Sequence, residues 1–169
     1  DGRVIVDEAA VTAMAELIAG LDEVEPFPFT GELFPEPGDP GALGFFFAAT
    51  LQQWGFWYER DDRWSHSMVA SIAGSDLKGS DYLWAAYRRW GRDDPVGLTP
   101  TGQARISPAE FSRRMAGDTG SNPLPETGLA AGLAVSYGRT MSELAWTPET
   151  VVATAAASRR PLHTLLTLL

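Results

Sequence analysis

The chain has no cysteine and only two histidines, His66 and His163. Without thiols there is no disulfide staple, no thiolate zinc site and no cysteine nucleophile. Two histidines cannot build a histidine-based metal centre from this chain alone. Cationic side chains are also scarce: 13 Lys+Arg stand against 22 Asp+Glu, a net charge of −9. That balance opposes a broad footprint on nucleic-acid phosphates and leaves room for a pocket holding one phosphate. A small-molecule ligand is therefore favoured over a nucleic-acid polymer. No run of about 18 apolar residues occurs, so no membrane-spanning helix is expected. The opening Asp1-Gly2-Arg3 carries no signal-peptide pattern, and a cytoplasmic location is the expectation. Motifs for dinucleotide, P-loop, zinc-peptidase and serine-hydrolase chemistry are all missing.

What is present is ordinary for a globular protein: 44% hydrophobic and 21% charged residues. The punctuation predicts a mainly α fold over 1–169 as one helical domain, with at most a few short strands near 3–6 and 66–73. Val4-Ile5-Val6 reads as extended. Asp7 caps a helix whose Val11, Met14, Leu17, Ile18 and Leu21 share one face, with Gly20 near its end. Residues 25–41 hold five prolines and three glycines and form a connector, whose Phe27, Phe29 and Phe34 need burial. Leu43 to Tyr58 lacks proline and reads as a buried helix. Asp61-Asp62-Arg63 is a polar turn, Ser67–Ile72 a short strand or helix, and Gly74 and Gly79 bracket another turn.

Ser80 or Asp81 caps a helix carrying Tyr82, Leu83, Tyr87 and Trp90, and Pro95–Gln103 reads as a loop. Ser107-Pro108-Ala109-Glu110 is a helix start with a capping box. Glu126–Leu144 is helix-compatible despite its glycines, Thr147-Pro148 opens another helix, and Pro161 begins the last. The final Leu165-Leu166-Thr167-Leu168-Leu169 is an apolar face that needs cover, from further polypeptide or from the chain's own core. The lack of Met at position 1 suggests an excerpted sequence, and the missing remainder of the same polypeptide is the simplest cover for this apolar end.

The chemically informative feature is the cluster Trp54, Phe56, Trp57 and Tyr58 beside Gln52-Gln53. Flat aromatic faces next to an amide suit a planar heterocycle, with stacking on the ring and a donor–acceptor pair at its edge. The plainer reading is that these aromatics are core. Asp81, Asp118 and Glu126 sit at loop–helix junctions, where a carboxylate could assist glycosidic cleavage and where caps are the ordinary explanation. His66 reads as a surface residue and His163 as a packed core residue.

In order along the chain, several segments resemble the queuosine salvage protein family. Val4-Ile5-Val6-Asp7 with its helix, Glu32-Leu33-Phe34-Pro35, and Phe45 through Trp57 are similar to that family's opening, connector and aromatic stretch. Lys78–Ala86, Ile106–Phe111, Gly117-Asp118-Thr119 and Pro123-Leu124 are similar to later blocks. Where the family carries Asn-Phe-Ser, this chain has Gln53-Trp54-Gly55, and the family's Arg after Pro-Leu has no counterpart near Glu126. The resemblance implies a fold similar to the helix-hairpin-helix DNA glycosylases. It also implies an N-glycosidic hydrolase that releases queuine from queuosine 5′-monophosphate, in salvage of a tRNA modification. Gln53, Trp54, Phe56 and Trp57 would line the base pocket. No metal or organic cofactor is implied, and the catalytic carboxylate is expected in a missing C-terminal half. Competing expectations are a DNA-glycosylase-like repair protein and a non-catalytic helical interaction module.

Overall fold

The computed structural model describes residues 7–20, 29, 31–60 and 63–168, with only the backbone described for 57–60 and 63–67. Within these limits the protein is mainly helical. Helix α1 (Glu8–Ala19) and α2 (Ala42–Thr50) precede two antiparallel hairpins, β1 (Trp57–Arg60) with β2 (Arg63–Ser67) and β3 (Val69–Ile72) with β4 (Ser75–Lys78). Then follow α3 (Gly79–Asp93), a 3₁₀ turn (Pro95–Leu98), α4 (Pro100–Gln103), α5 (Pro108–Arg114), α6 (Thr127–Glu143), α7 (Pro148–Ala156) and α8 (Pro161–Leu168). Among the described residues no helix is long and apolar enough to cross a membrane.

Helix α3 is the centre of the packing. Its Tyr82, Leu83, Ala86, Tyr87 and Trp90 recur at helical spacing and are buried, while Arg88, Arg89 and Arg92 lie on other faces. Phe45, Ala48 and Ala49 of α2 close over it, with Phe111 and Met115 around α5 and Ala130, Ala131 and Ala134 of α6 completing the core. Helices α4 and α6 pack closely because position 138 is glycine: a Cβ there would strike the Ala104 amide and the Pro100 carbonyl.

Local chemistry explains most helix starts. Asp7 Oδ1 accepts from Ala10 N at 3.0 Å, and Ser107 Oγ accepts from Glu110 N at 3.1 Å. The Ser107 box is only half made, because the Glu110 carboxylate turns instead to Arg113 and Arg114. Thr147 and Thr150 form a complete reciprocal cap.

Four expectations about the secondary-structure elements are corrected. The apolar stretch from Leu43 does not stay helical to Tyr58: α2 stops at Thr50, whose hydroxyl folds back onto the Phe46 carbonyl at 2.8 Å. Gly55 then takes φ +72°, where a Cβ would sit 3.0 Å from Pro125 Cγ, so the chain turns against the 122–125 segment and emerges as β1. Pro95–Gln103 is not a loop, because Asp94 and Thr99 each cap a short helix with proline at its first position. Helix α3 begins two or three residues earlier than a Ser80 or Asp81 cap requires, with Lys78 as N-cap and no side-chain cap bond. Ser75–Lys78, between two glycines, is a strand: Ala73 and Gly74, at φ 52° and 78°, form the tight hairpin turn that pairs it with β3.

The ends differ from the centre. Helix α1 buries no residue, and Val11, Met14, Leu17 and Ile18 are all exposed. Helix α8 packs on α7 yet buries nothing fully, leaving Leu162 and Leu166 about 70% and 69% exposed. His163 is exposed, not packed in the core, because α8 presents that side to solvent. Phe34 is buried and Phe29 meets it edge-on at 5.4 Å. The expectations on Val4–Val6, Leu21, Phe27, Asp61-Asp62 and Leu169 lie outside the described residues, as does the His66 side chain.

Candidate functional site

The residues expected to bind substrate fall on the loop between α2 and β1. Gln52 is its anchor: fully buried, it donates from Nε2 to the Ala130 carbonyl at 3.0 Å and so ties the loop to α6. Gln53 is half-buried and its Nε2 reaches back to the Ala49 carbonyl at 3.4 Å. The Trp54 indole donates to the Leu51 carbonyl at 3.0 Å. Phe56 lays its ring along the start of α3, 3.4 Å from where a Cβ on Gly79 would stand. Trp54 and Phe56 pack against the core and remain half-buried. Trp57 opens β1 opposite Ser67, and its side chain lies outside the described part of the structure. Gln53, Trp54 and Phe56 thus share one short segment, on a turn and not on the helix expected for them.

The three loop–helix carboxylates have local explanations or none. Asp118 accepts from Ala73 N at 3.1 Å and Gly74 N at 2.8 Å, capping the β3–β4 turn. Asp81 lies in the first turn of α3 and is exposed. Glu126 is the N-cap of α6 in the left-handed region at φ 51°, without a side-chain cap bond. Among the described residues, no cluster of three or more His, Asp or Glu is placed to hold a metal ion.

A sizeable concavity lies elsewhere, and none of Gln53, Trp54 or Phe56 lines it. A groove of about 1180 Å³ runs between α2, the C-terminal half of α3, the 3₁₀ turn and the α6–α7 corner. Phe45, Leu98 and Met141, all nearly inaccessible, form apolar lining, and Trp146 adds a half-buried indole. Arg88 and Arg92, one helical turn apart on α3, bring two guanidiniums, and Arg88 lies 3.6 Å from Asp39. Sequence reading missed this groove because its residues come from distant parts of the chain. Two local signals were available: the Arg88/Arg92 spacing on one helix, and an aromatic directly before the Thr147 cap.

Electrostatics sharpen at the back of α3. Arg114 donates to Glu110 at 2.7 Å and to Asp94 at 2.9 Å, and its guanidinium stands 5.8 Å from the Trp90 ring centroid. The hydrogen bond from Arg114, with Arg113 nearby, holds the Glu110 carboxyl below its usual range. Burial pushes the Tyr82 phenol up to about 12, and its hydroxyl donates to the Met115 carbonyl. Burial pushes Tyr137 up to about 12 as well, with the Glu149 charge adding to it. Tyr87 is raised by full burial, partly offset by the adjacent Gln52 amide.

No protein-family model matches the chain, and no curated protein matches it.

Proposed function

We propose that this chain is the base-binding half of an N-glycosidic hydrolase that frees queuine from queuosine 5′-monophosphate. The observation that carries the reading is the 52–56 loop: Gln53, Trp54 and Phe56 stand close together on it, partly buried, with both aromatics packed against the core. A face backed by rigid core can stack a planar base, an interaction of roughly 1–3 kcal/mol per base, while the Gln53 amide meets the ring edge. The order of segments resembling the queuosine salvage family supports the same assignment, together with a helix-hairpin-helix glycosylase-like arrangement. In this scheme Trp57 belongs to the same pocket.

The reaction adds water across the glycosidic bond. The C1′–N bond breaks, the water oxygen joins C1′, and a proton reaches the departing base, giving queuine and ribose 5-phosphate. A carboxylate stabilises the cationic ribosyl centre or deprotonates the water. That carboxylate comes from a completing C-terminal half, and the scheme uses no metal or organic cofactor. The protein would work in the cytoplasm on a free nucleotide, in keeping with a net charge of −9. One observation favours a second reading: the unburied apolar faces of α1 and α8 suit a helical interaction module.

The test is chromatographic detection of queuine after incubating the intact protein with queuosine 5′-monophosphate. Queuine and ribose 5-phosphate in equal amounts are expected. Intact substrate after prolonged incubation with folded protein would remove the hydrolase reading and leave the interaction module.

A further inference from the structure

Two helices of this protein leave apolar faces open, and the charges around those faces are opposite. On α1, Val11, Met14, Leu17 and Ile18 recur at helical spacing and are 54–64% exposed. On α8, Leu162 and Leu166 stand one turn apart, 70% and 69% exposed, while Thr164, Leu165 and Leu168 are partly covered. The two faces therefore do not cover each other within one copy. Single exposed apolar side chains are ordinary on a protein surface, but a row of them along one helix is what a partner helix packs into.

Charge says what that partner is. Residues 7–20 hold Asp7, Glu8 and Glu16 and no cationic side chain, whereas residues 150–168 hold Arg159, Arg160 and His163 and no carboxylate. Among the described residues, Glu8, Glu16, Arg159 and Arg160 make no ion pair. Arg159 and Arg160 immediately precede α8, where the partial positive charge of a helix start disfavours cations. Laid side by side in the same direction, α1 and α8 bring Asp7 and Glu8 to those guanidiniums. Leu162 follows Arg159 by three residues, as Val11 follows Glu8, so the apolar rows come level as well. The acidic α1 has the wrong sign for an anionic membrane surface or a phosphate backbone. A basic, leucine-bearing helix fits it, and α8 is one.

From this complementarity we infer that α1 of one copy docks on α8 of a second copy, and that the exchange is reciprocal. A two-fold arrangement satisfies both faces of both copies and leaves neither free to extend a chain of copies. Over both pairings the apolar area these side chains hold open is on the order of 1,000 Å², at the lower end of specific interfaces. Affinity around micromolar is therefore expected. The pairing names the partner for the interaction-module reading and rests on it. No residue of the 52–57 segment takes part, so queuine release neither supports nor opposes it.

Sedimentation of the intact protein from about 0.1 to about 100 µM, with amide exchange at both ends of that range, tests this. A monomer–dimer equilibrium is expected, in which residues 8–19 and 161–168 gain protection as concentration rises. Met14→Gln/Ile18→Gln and Leu162→Gln/Leu166→Gln keep good helix formers, and each pair should raise the dissociation constant at least tenfold. Glu8→Lys and Arg159→Glu/Arg160→Glu should each weaken association about two- to fivefold at low salt. Mixed together, these two charge variants should regain it, because opposite charges then meet at both pairings. A monomer at about 100 µM with both segments exchanging freely overturns the self-pairing and leaves the two faces to a different partner. Protection independent of concentration means cover within one copy, and removes the interaction-module reading as well. A dimer indifferent to both glutamine pairs also overturns the pairing, since it is built on other surfaces.

Discussion

Aromatic side chains crowd two regions of this protein, the inner face of α3 and the loop that follows α2. Around α3, Tyr82, Tyr87, Trp90 and Phe111 are enclosed on all sides, and the Tyr87 and Trp90 rings stack at 5.6 Å. On the loop, Trp54 and Phe56 pack against the same core and stay only partly buried. Composition does not separate these regions; enclosure does. Where a ring is surrounded its energy goes into folding, and where one face stays accessible it is available to a ligand. The difference predicts opposite consequences for the same kind of substitution.

The largest effect belongs to the enclosed side. Trp90→Ala should destabilise the fold by about 3–5 kcal/mol, read from denaturant unfolding; a loss below about 1 kcal/mol would show that α3 is not the packing centre. An intermediate effect belongs to Gln52, which joins the two regions. Gln52→Ala removes the tertiary hydrogen bond to the Ala130 carbonyl together with the packing of a fully buried side chain and should cost about 1–3 kcal/mol. It should also loosen the loop, seen as faster amide exchange at residues 53–56 than in the wild type. Unchanged exchange there would break the link between anchor and loop.

Smaller effects follow from ionisation. The Tyr82 phenol is neutral in the fold up to about 12, above its unfolded value of about 10. A raised folded value means that its contribution is fully present below about pH 10 and declines as pH rises through the folded value. Tyr82→Phe should therefore flatten the alkaline fall in melting temperature between about pH 10 and 12; an unaltered profile would rule out this phenol as its source. Smallest is Glu110, whose carboxyl is held low by Arg114. A depressed value stabilises above the unfolded pKa of about 4.3 and is lost as pH falls through the folded one. Glu110→Gln should thus lower the melting temperature slightly at pH 7 and make no difference in strong acid.

The features legible in the sequence were those fixed by neighbours in the chain. Asp7, Ser107 and Thr147 cap helices because a side-chain oxygen three residues from an amide needs no tertiary help. The end of α2 was not legible: no proline interrupts Leu43–Tyr58, and the stop depends on Gly55 turning over Pro125, some seventy residues away. The two short helices after α3 read as a loop, although Asp94 and Thr99 place Pro95 and Pro100 each at a helix start. Strand β4 was hidden because Ser75-Asp76-Leu77-Lys78 has no β-branched residue. Of the site, the sequence marked the aromatic loop but not its geometry. The groove, assembled from residues as distant as Phe45 and Trp146, carries no local pattern.

The most direct test of the contrast is a paired measurement on Phe56→Ala in the intact protein: single-turnover queuine release from queuosine 5′-monophosphate, and the melting temperature of the same preparation. The account predicts a loss of release of roughly tenfold to a hundredfold, the scale of a lost base–aromatic stack, with much less destabilisation than Trp90→Ala causes. A melting temperature as low as that of Trp90→Ala, with normal turnover per folded molecule, would mean that the loop aromatics are core and that the base site lies elsewhere.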